Sequence, residues 1–131
     1  MTSILVVEDH PIFIQSMVRL LRERGKFDVT TASSGEQAVE QLKENPNVDL
    51  VLIDVSLPGM SGIRLLRAVH DLKPGLPCLM VSGHLATHYV QQSMAAGARG
   101  YVLKEDIPGI LEGINQVLSG GQFISQALKA Q

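Results

Sequence analysis

Leu50-Val51-Leu52-Ile53 is a run of four apolar residues closed by an acid, Asp54. A strand that is apolar at every position, not at alternate ones, is buried on both faces. That occurs in parallel sheets covered by helices on each side. A carboxylate at the end of such a strand is costly unless it is paired, solvated or bound to a metal. The run therefore constrains two things together. It predicts a layered α/β domain, and it places chemistry at the C-terminal ends of the strands.

The rest of the chain repeats the pattern. Ile4-Leu5-Val6-Val7 is followed at once by Glu8-Asp9, Cys78-Leu79-Met80-Val81 by Ser82-Gly83-His84, and Tyr101-Val102-Leu103 by Lys104. Phe27, Val29 and Thr31 alternate with Asp28 and Thr30, which reads as a half-exposed strand at a sheet edge. Helical spacing lies between the strands. Ile14, Met17, Val18 and Leu21 share one face after Pro11, with Asp9 or His10 where an N-cap belongs. Ser34 caps a short helix in which Gly35, Ala38 and Leu42 share a face. Leu65, Val69 and Leu72 mark the next, and Thr87, Val90 and Met94 a weaker one ended by Gly97. Ile107, Ile110, Leu111, Ile114 and Leu118 give the last and strongest period, with Ile107 and Val117 as a second apolar edge open to a partner.

Five strands alternating with five helices predict an α/β sandwich on a parallel sheet with right-handed connections. With the alternating strand at an edge, the flavodoxin-like (βα)5 order 2-1-3-4-5 fits. Sites in that order lie in the crevice between strands 1 and 3. Residues 1–119 are expected to form the domain and 120–131 a linker-like tail.

Totals remove several classes. A length of 131 residues favours one domain. No apolar stretch approaches a membrane span, and a strand begins too early to leave room for a signal peptide, so a cytoplasmic protein is expected. The net charge of −2 argues against a nucleic-acid surface on this chain. Cys78, the one cysteine, sits in an apolar run and reads as a small buried hydrophobe.

The topology brings Glu8, Asp9, Asp54, Ser82 and Lys104 to one edge of the sheet. Three carboxylates in one crevice repel each other unless cations are present. Mg²⁺ is the natural answer, being hard and held by one or two carboxylates with other oxygens completing its shell. A carboxylate beside Mg²⁺ and an ammonium is set up as a nucleophile toward phosphorus, and Ser82 could donate to the phosphorylated group. Taken alone, Asp9 reads equally as a helix N-cap.

These residues resemble a CheY-like response-regulator receiver domain, from about Ile4 to Leu118. The motifs are Val-Val-Glu-Asp, Asp54 with Leu-Pro-Gly-Met-Ser-Gly, Val-Ser, and Gly-Ala-Arg-Gly-Tyr-Val-Leu-Lys. The resemblance implies that Asp54 accepts a phosphoryl group. It implies that Glu8, Asp9 and Asp54 with the Ser56 carbonyl hold Mg²⁺, Asp9 as the direct ligand of the acidic pair. Ser82 and Tyr101 match the switch pair, Tyr101 moving into the space that Ser82 vacates, and Lys104 matches the invariant lysine. Ser56 and His84 fall where variable residues tune phosphate lifetime. The implied role is a signalling switch and not an enzyme, with self-catalysed transfer and slow autodephosphorylation. The implied partners are a sensor histidine kinase or phosphotransfer protein, and a second copy on phosphorylation.

The stretch from Gly97, the downstream Ser-Gly-Gly-Gln-Phe-Ile-Ser and Glu8-Asp9-His10-Pro11 resemble the NarL/FixJ type. Such receivers usually precede a LuxR-like helix-turn-helix domain, which would carry the DNA contact and is not among these residues. The chain is a stand-alone receiver or, as the tail favours, an excised one. Glu105 stands where many members carry proline. His10, His70 and His88 show no ligand spacing and read as structural.

Rival readings fail on particular residues. A flavin carrier of the same topology needs a phosphate-cradling loop after strand 1, where Glu8 and Asp9 stand. A dinucleotide domain needs G-x-G-x-x-G. A haloacid-dehalogenase-like phosphatase needs a second Asp where Ser56 stands. A phosphorylation-independent interaction module would have no use for the intact polar set.

Overall fold

The computed structural model describes residues 1–83 and 87–129, with the backbone alone at residues 87, 88 and 129. Strands and helices alternate: β1 (Ser3–Val7), α1 (Pro11–Glu23), β2 (Asp28–Ala32), α2 (Gly35–Glu44), β3 (Leu50–Asp54), α3 (Gly62–Leu72), β4 (Cys78–Ser82), α4 (Thr87–Ala95), β5 (Gly100–Leu103) and α5 (Ile107–Leu118). The tail adds β6 (Phe123–Ile124) and α6 (Gln126–Lys129). The sheet is parallel throughout, in the order β2-β1-β3-β4-β5-β6. The expected 2-1-3-4-5 order is present, extended by a short sixth strand.

All five residues of β3 are buried. Leu50 and Leu52 join Ile4, Val6, Leu79 and Val81 in the core beneath α1 and α5. Val51 and Ile53 join Leu5, Val7 and Met80 in the other core, beneath α2 and α3. Each apolar side chain so buried stabilises the fold by about 1.5–3 kcal/mol, and Asp54 is the one polar residue of the strand. Asp54 terminates the run, itself buried at the C-terminal end of the strand. Ser34 caps α2 by accepting from Gln37 N–H, and Gly35, Ala38 and Leu42 bury together as their spacing requires.

Three expectations change. The tail does not leave the sheet at residue 120. Gly120 (φ +92°) ends α5 with the paired bonds Gly121 N–H to Gln116 O (2.9 Å) and Gly120 N–H to Val117 O (3.0 Å), which turn the chain back. Phe123 and Ile124 then pair with Gly100 and Tyr101. Two glycines make room for them: a Cβ on Gly100 would lie 2.6 Å from the Phe123 carbonyl, and one on Gly113 would lie 2.9 Å from the Phe123 ring.

In β2, Val29 is buried but Thr31 is exposed, and Ala32 is buried against the α2 side instead. The edge strand is covered by a different helix at each end, so simple alternation fails. Val117 is buried, so it forms no outer apolar edge with Ile107, which alone is exposed. The N-cap of α1 is His10, one of the two residues expected there, without a side-chain capping bond.

Candidate functional site

The first two residues after β1 start the site. Glu8 is 1% exposed, unusual for a glutamate. Its Oε1 accepts from His10 N–H (3.1 Å), lies 2.6 Å from His10 Nδ1 and accepts from Lys104 Nζ (3.2 Å). The Lys104 ammonium is also 3.0 Å from Oε2 as an ion pair. Asp54, 2% exposed, closes β3 beside it. Its Oδ1 accepts from Ser56 N–H (3.1 Å), and its Oδ2 from Lys104 Nζ (3.4 Å). Asp9 is half-buried, with Oδ1 3.4 Å from His10 Nδ1. Ligand atoms of Glu8, Asp9, His10 and Asp54 all lie within 4.8 Å of one another.

Lys104 reaches this cluster from the end of β5, where its backbone N–H donates to Ser82 O (2.9 Å). The ammonium also sits 4.8 Å from the centroid of the Phe13 ring, a contact that holds the cation over α1. Under Asp54 the loop returns tightly. Gly62 N–H donates to Val55 O (3.0 Å), and Ser61 caps α3 by accepting from Arg64 N–H (3.2 Å).

The charges show what is missing. Burial foremost, opposed by the Ser56 N–H and reinforced by Glu8, lifts the Asp54 carboxyl above its ordinary range despite Lys104. The bond to Glu8 lifts the exposed His10 imidazole above its usual value. Glu8 Oε2 and Asp9 Oδ1 are buried without hydrogen-bond partners. One lysine cannot balance three carboxylates, and buried oxygens that lack a hydrogen bond favour a further cation. The donor set is all oxygen apart from His10, so it fits a hard divalent ion.

Ser82 and Tyr101 lie on the neighbouring strands β4 and β5, each buried. Tyr101 is fully enclosed and packs with the α2–α4 core. Its phenol is raised in pKa by burial first, then opposed by hydrogen bonding toward Ser82. The two hydroxyls are neighbours, although the phenolic oxygen falls short of a well-formed bond. Tyr101 thus lies inward, beside Ser82.

A family model for the response regulator receiver domain matches residues 4–123. The chain belongs to the response regulator receiver domain family. It is 37% identical over 132 residues to the transcriptional activator protein ExaE of Pseudomonas putida, covering 98% of this chain and 61% of that protein. It is 33% identical over 124 residues to the transcriptional regulatory protein DegU of Brevibacillus brevis, covering 93% and 52%. The chain therefore spans little more than half the length of these curated relatives. Among solved structures, a LuxR-family two-component response regulator from Aurantimonas sp. SI85-9A1 superposes with a TM-score of 0.92 at 28% identity, covering 99% of this chain and 94% of that one. A CheY-like receiver from Methanospirillum hungatei JF-1 gives 0.83 at 30% identity, covering 92% and 95%.

As a receiver, the chain brings Glu8, Asp9, Asp54 and Lys104 together as the sequence predicts, with Ser56 supplying a backbone N–H to Asp54. His84 lies outside the described residues. Sequence reasoning missed His10, read as structural yet bonded to Glu8. Its position beside two acids was the available signal. It also missed Phe13, whose role needs the three-dimensional approach of Lys104 from 91 residues away.

Proposed function

We propose that Asp54 is the phosphoacceptor of a two-component signalling switch. The observation that carries this reading is a buried carboxylate held beside a lysine ammonium and two further acids. Asp54 attacks the phosphorus of a histidine-kinase phosphohistidine, a phosphotransfer protein or a small acyl phosphate. A new Oδ–P bond forms as the P–O or P–N bond to the donor breaks, and the donor leaves with the electron pair.

Lys104 meets the incoming phosphoryl oxygens from the Asp54 Oδ2 side, and its charge offsets the negative charge spread over them. The Ser56 N–H holds Oδ1, fixing the carboxylate plane. Glu8, Asp9, Asp54 and the Ser56 carbonyl would hold Mg²⁺, which when bound supplies Lewis-acid neutralisation of the phosphate. Ser82 donates to an oxygen of the product, and its pull toward the phosphate favours the buried Tyr101 observed here. This is a shift between two populated arrangements, to which the phosphate adds differential contacts. Ser56 and His84, two residues past Asp54 and Ser82 in sequence, tune the lifetime of the phosphate in this reading. The domain transfers the group to itself, loses it slowly to water and turns over no substrate. The described residues contain no helix long and apolar enough to cross a membrane, and a cytoplasmic setting suits a kinase partner.

The relatives' names support an output in transcription. A helix-turn-helix domain outside these residues would contact DNA, and phosphorylation would favour a homodimer. The receiver core is taken to cover 1–119, with 120–131, whose β6 joins the sheet edge, leading toward that output. The test uses radiolabelled acetyl phosphate. Label is expected on the protein with Mg²⁺, lost in hydroxylamine as acyl phosphates are, and absent with chelator. Label that survives hydroxylamine would contradict the reading.

A further inference from the structure

Lys104 sits in a four-residue turn, Leu103 to Asp106, closed by Asp106 N–H donating to Leu103 O (3.0 Å). Ser125 ties both ends of that turn. Its hydroxyl oxygen accepts from Leu103 N–H (3.1 Å), and its proton goes to Asp106 Oδ2 (2.9 Å). The other Asp106 oxygen caps α5 by accepting from Gly109 N–H (3.0 Å).

Ser125 is fully buried. Its N–H donates to Tyr101 O (3.0 Å), the last ladder bond of β6, and its carbonyl accepts from Leu128 N–H (3.0 Å) to start α6. A continuing parallel ladder would bring Leu103 N–H to the Ser125 carbonyl. That carbonyl is committed to α6, and the side chain takes its place. A serine that merely capped α6 would aim its hydroxyl at the amides of its own helix. This one is aimed at the turn that carries Lys104.

The geometry points to Ser125 as a positioning residue of the phosphoryl site, acting through Leu103 and Asp106 on Lys104. The inference rests on the phosphoacceptor reading of Asp54. Without the hydroxyl, a buried N–H and a carboxylate oxygen lose their partner, and the turn has no bond to the tail. Lys104 must meet a phosphoryl group spanning ångströms, so a looser turn slows transfer more than it weakens the acidic pocket. By linkage, a phosphate that fixes Lys104 also tightens residues 123–125.

The experiment compares the native chain with Ser125→Ala, Ser125→Thr and Val29→Ala. Val29 is buried on β2 away from the turn and controls for lost stability. Amide exchange at residues 103–106 and phosphate incorporation from acetyl phosphate at saturating Mg²⁺ are measured. In Ser125→Ala, exchange at Leu103 should rise roughly tenfold or more. The maximal rate of incorporation should fall by about threefold or more, with the Mg²⁺ half-saturation unchanged. Ser125→Thr, which keeps the hydroxyl, should restore the rate, and Val29→Ala should leave it near native. An unchanged maximal rate in Ser125→Ala, or an equal loss in Val29→Ala, would overturn the proposal. A native chain that takes no phosphate refutes the phosphoacceptor reading instead. In that event unchanged exchange at Leu103 in Ser125→Ala still overturns the clasp.

Discussion

At the scale of the residue, Asp54 is held in a costly place. Burial and Glu8 keep its carboxyl above the ordinary range, so the folded chain binds that proton more tightly than the unfolded chain does. Its stabilising contribution is then fully present below the unfolded value near 3.8 and is lost as pH rises through the raised folded value. At neutral pH, without metal, Asp54 therefore costs the fold stability. Asp54→Asn is expected to raise Tm at pH 7 by a few degrees, on the order of 1 kcal/mol. The gap from native should close as pH is lowered toward 4, about the value near which an unfolded aspartate protonates. A thermal-melt series over that range checks it, and an Asn variant less stable than native at pH 7 would contradict it. Added Mg²⁺ should narrow the gap at pH 7, because it stabilises only the chain that keeps the carboxylate.

At the scale of the element, the site depends on how closely α3 returns to the end of β3. A Cβ on Gly62 would lie 2.3 Å from the Asp54 carbonyl and 2.7 Å from Val55 Cα, both backbone atoms that cannot swing aside. Gly62→Ala is expected to cost about 2 kcal/mol or more in denaturant unfolding and to slow phosphorylation, since the strand end carrying Asp54 must move. An alanine variant of native stability would show that the two elements slide apart freely. The same scale explains what was legible in the sequence. Doubly buried strands such as β3 announce themselves because every residue before the closing acid is apolar, and Ser34 marks α2 by its own hydrogen bond. Thr31 and the tail were misjudged because their environment is set by partners distant in sequence. Phe123 becomes a strand residue only because Gly100 and Gly113 vacate space for it. The Gly120 turn that directs it there reads, in sequence alone, as an ending.

At the scale of the whole molecule, the parallel topology does the assembling. Glu8, Asp54, Ser82 and Lys104 each stand at or just beyond the C-terminal end of a different strand, and the order β1-β3-β4-β5 sets them side by side. That is why the acidic pair, the acceptor and the lysine were readable from residue types at strand ends, while the buried state of Tyr101 and the Ser125 clasp were not. Those two depend on packing against neighbours that no local pattern encodes. The central claim is that Asp54 receives and holds one phosphoryl group. Intact mass before and after acetyl phosphate with Mg²⁺ tests it most directly. The account predicts a gain of one phosphoryl mass in the native chain and none in Asp54→Ala; no gain in either chain, or an equal gain in both, would contradict it.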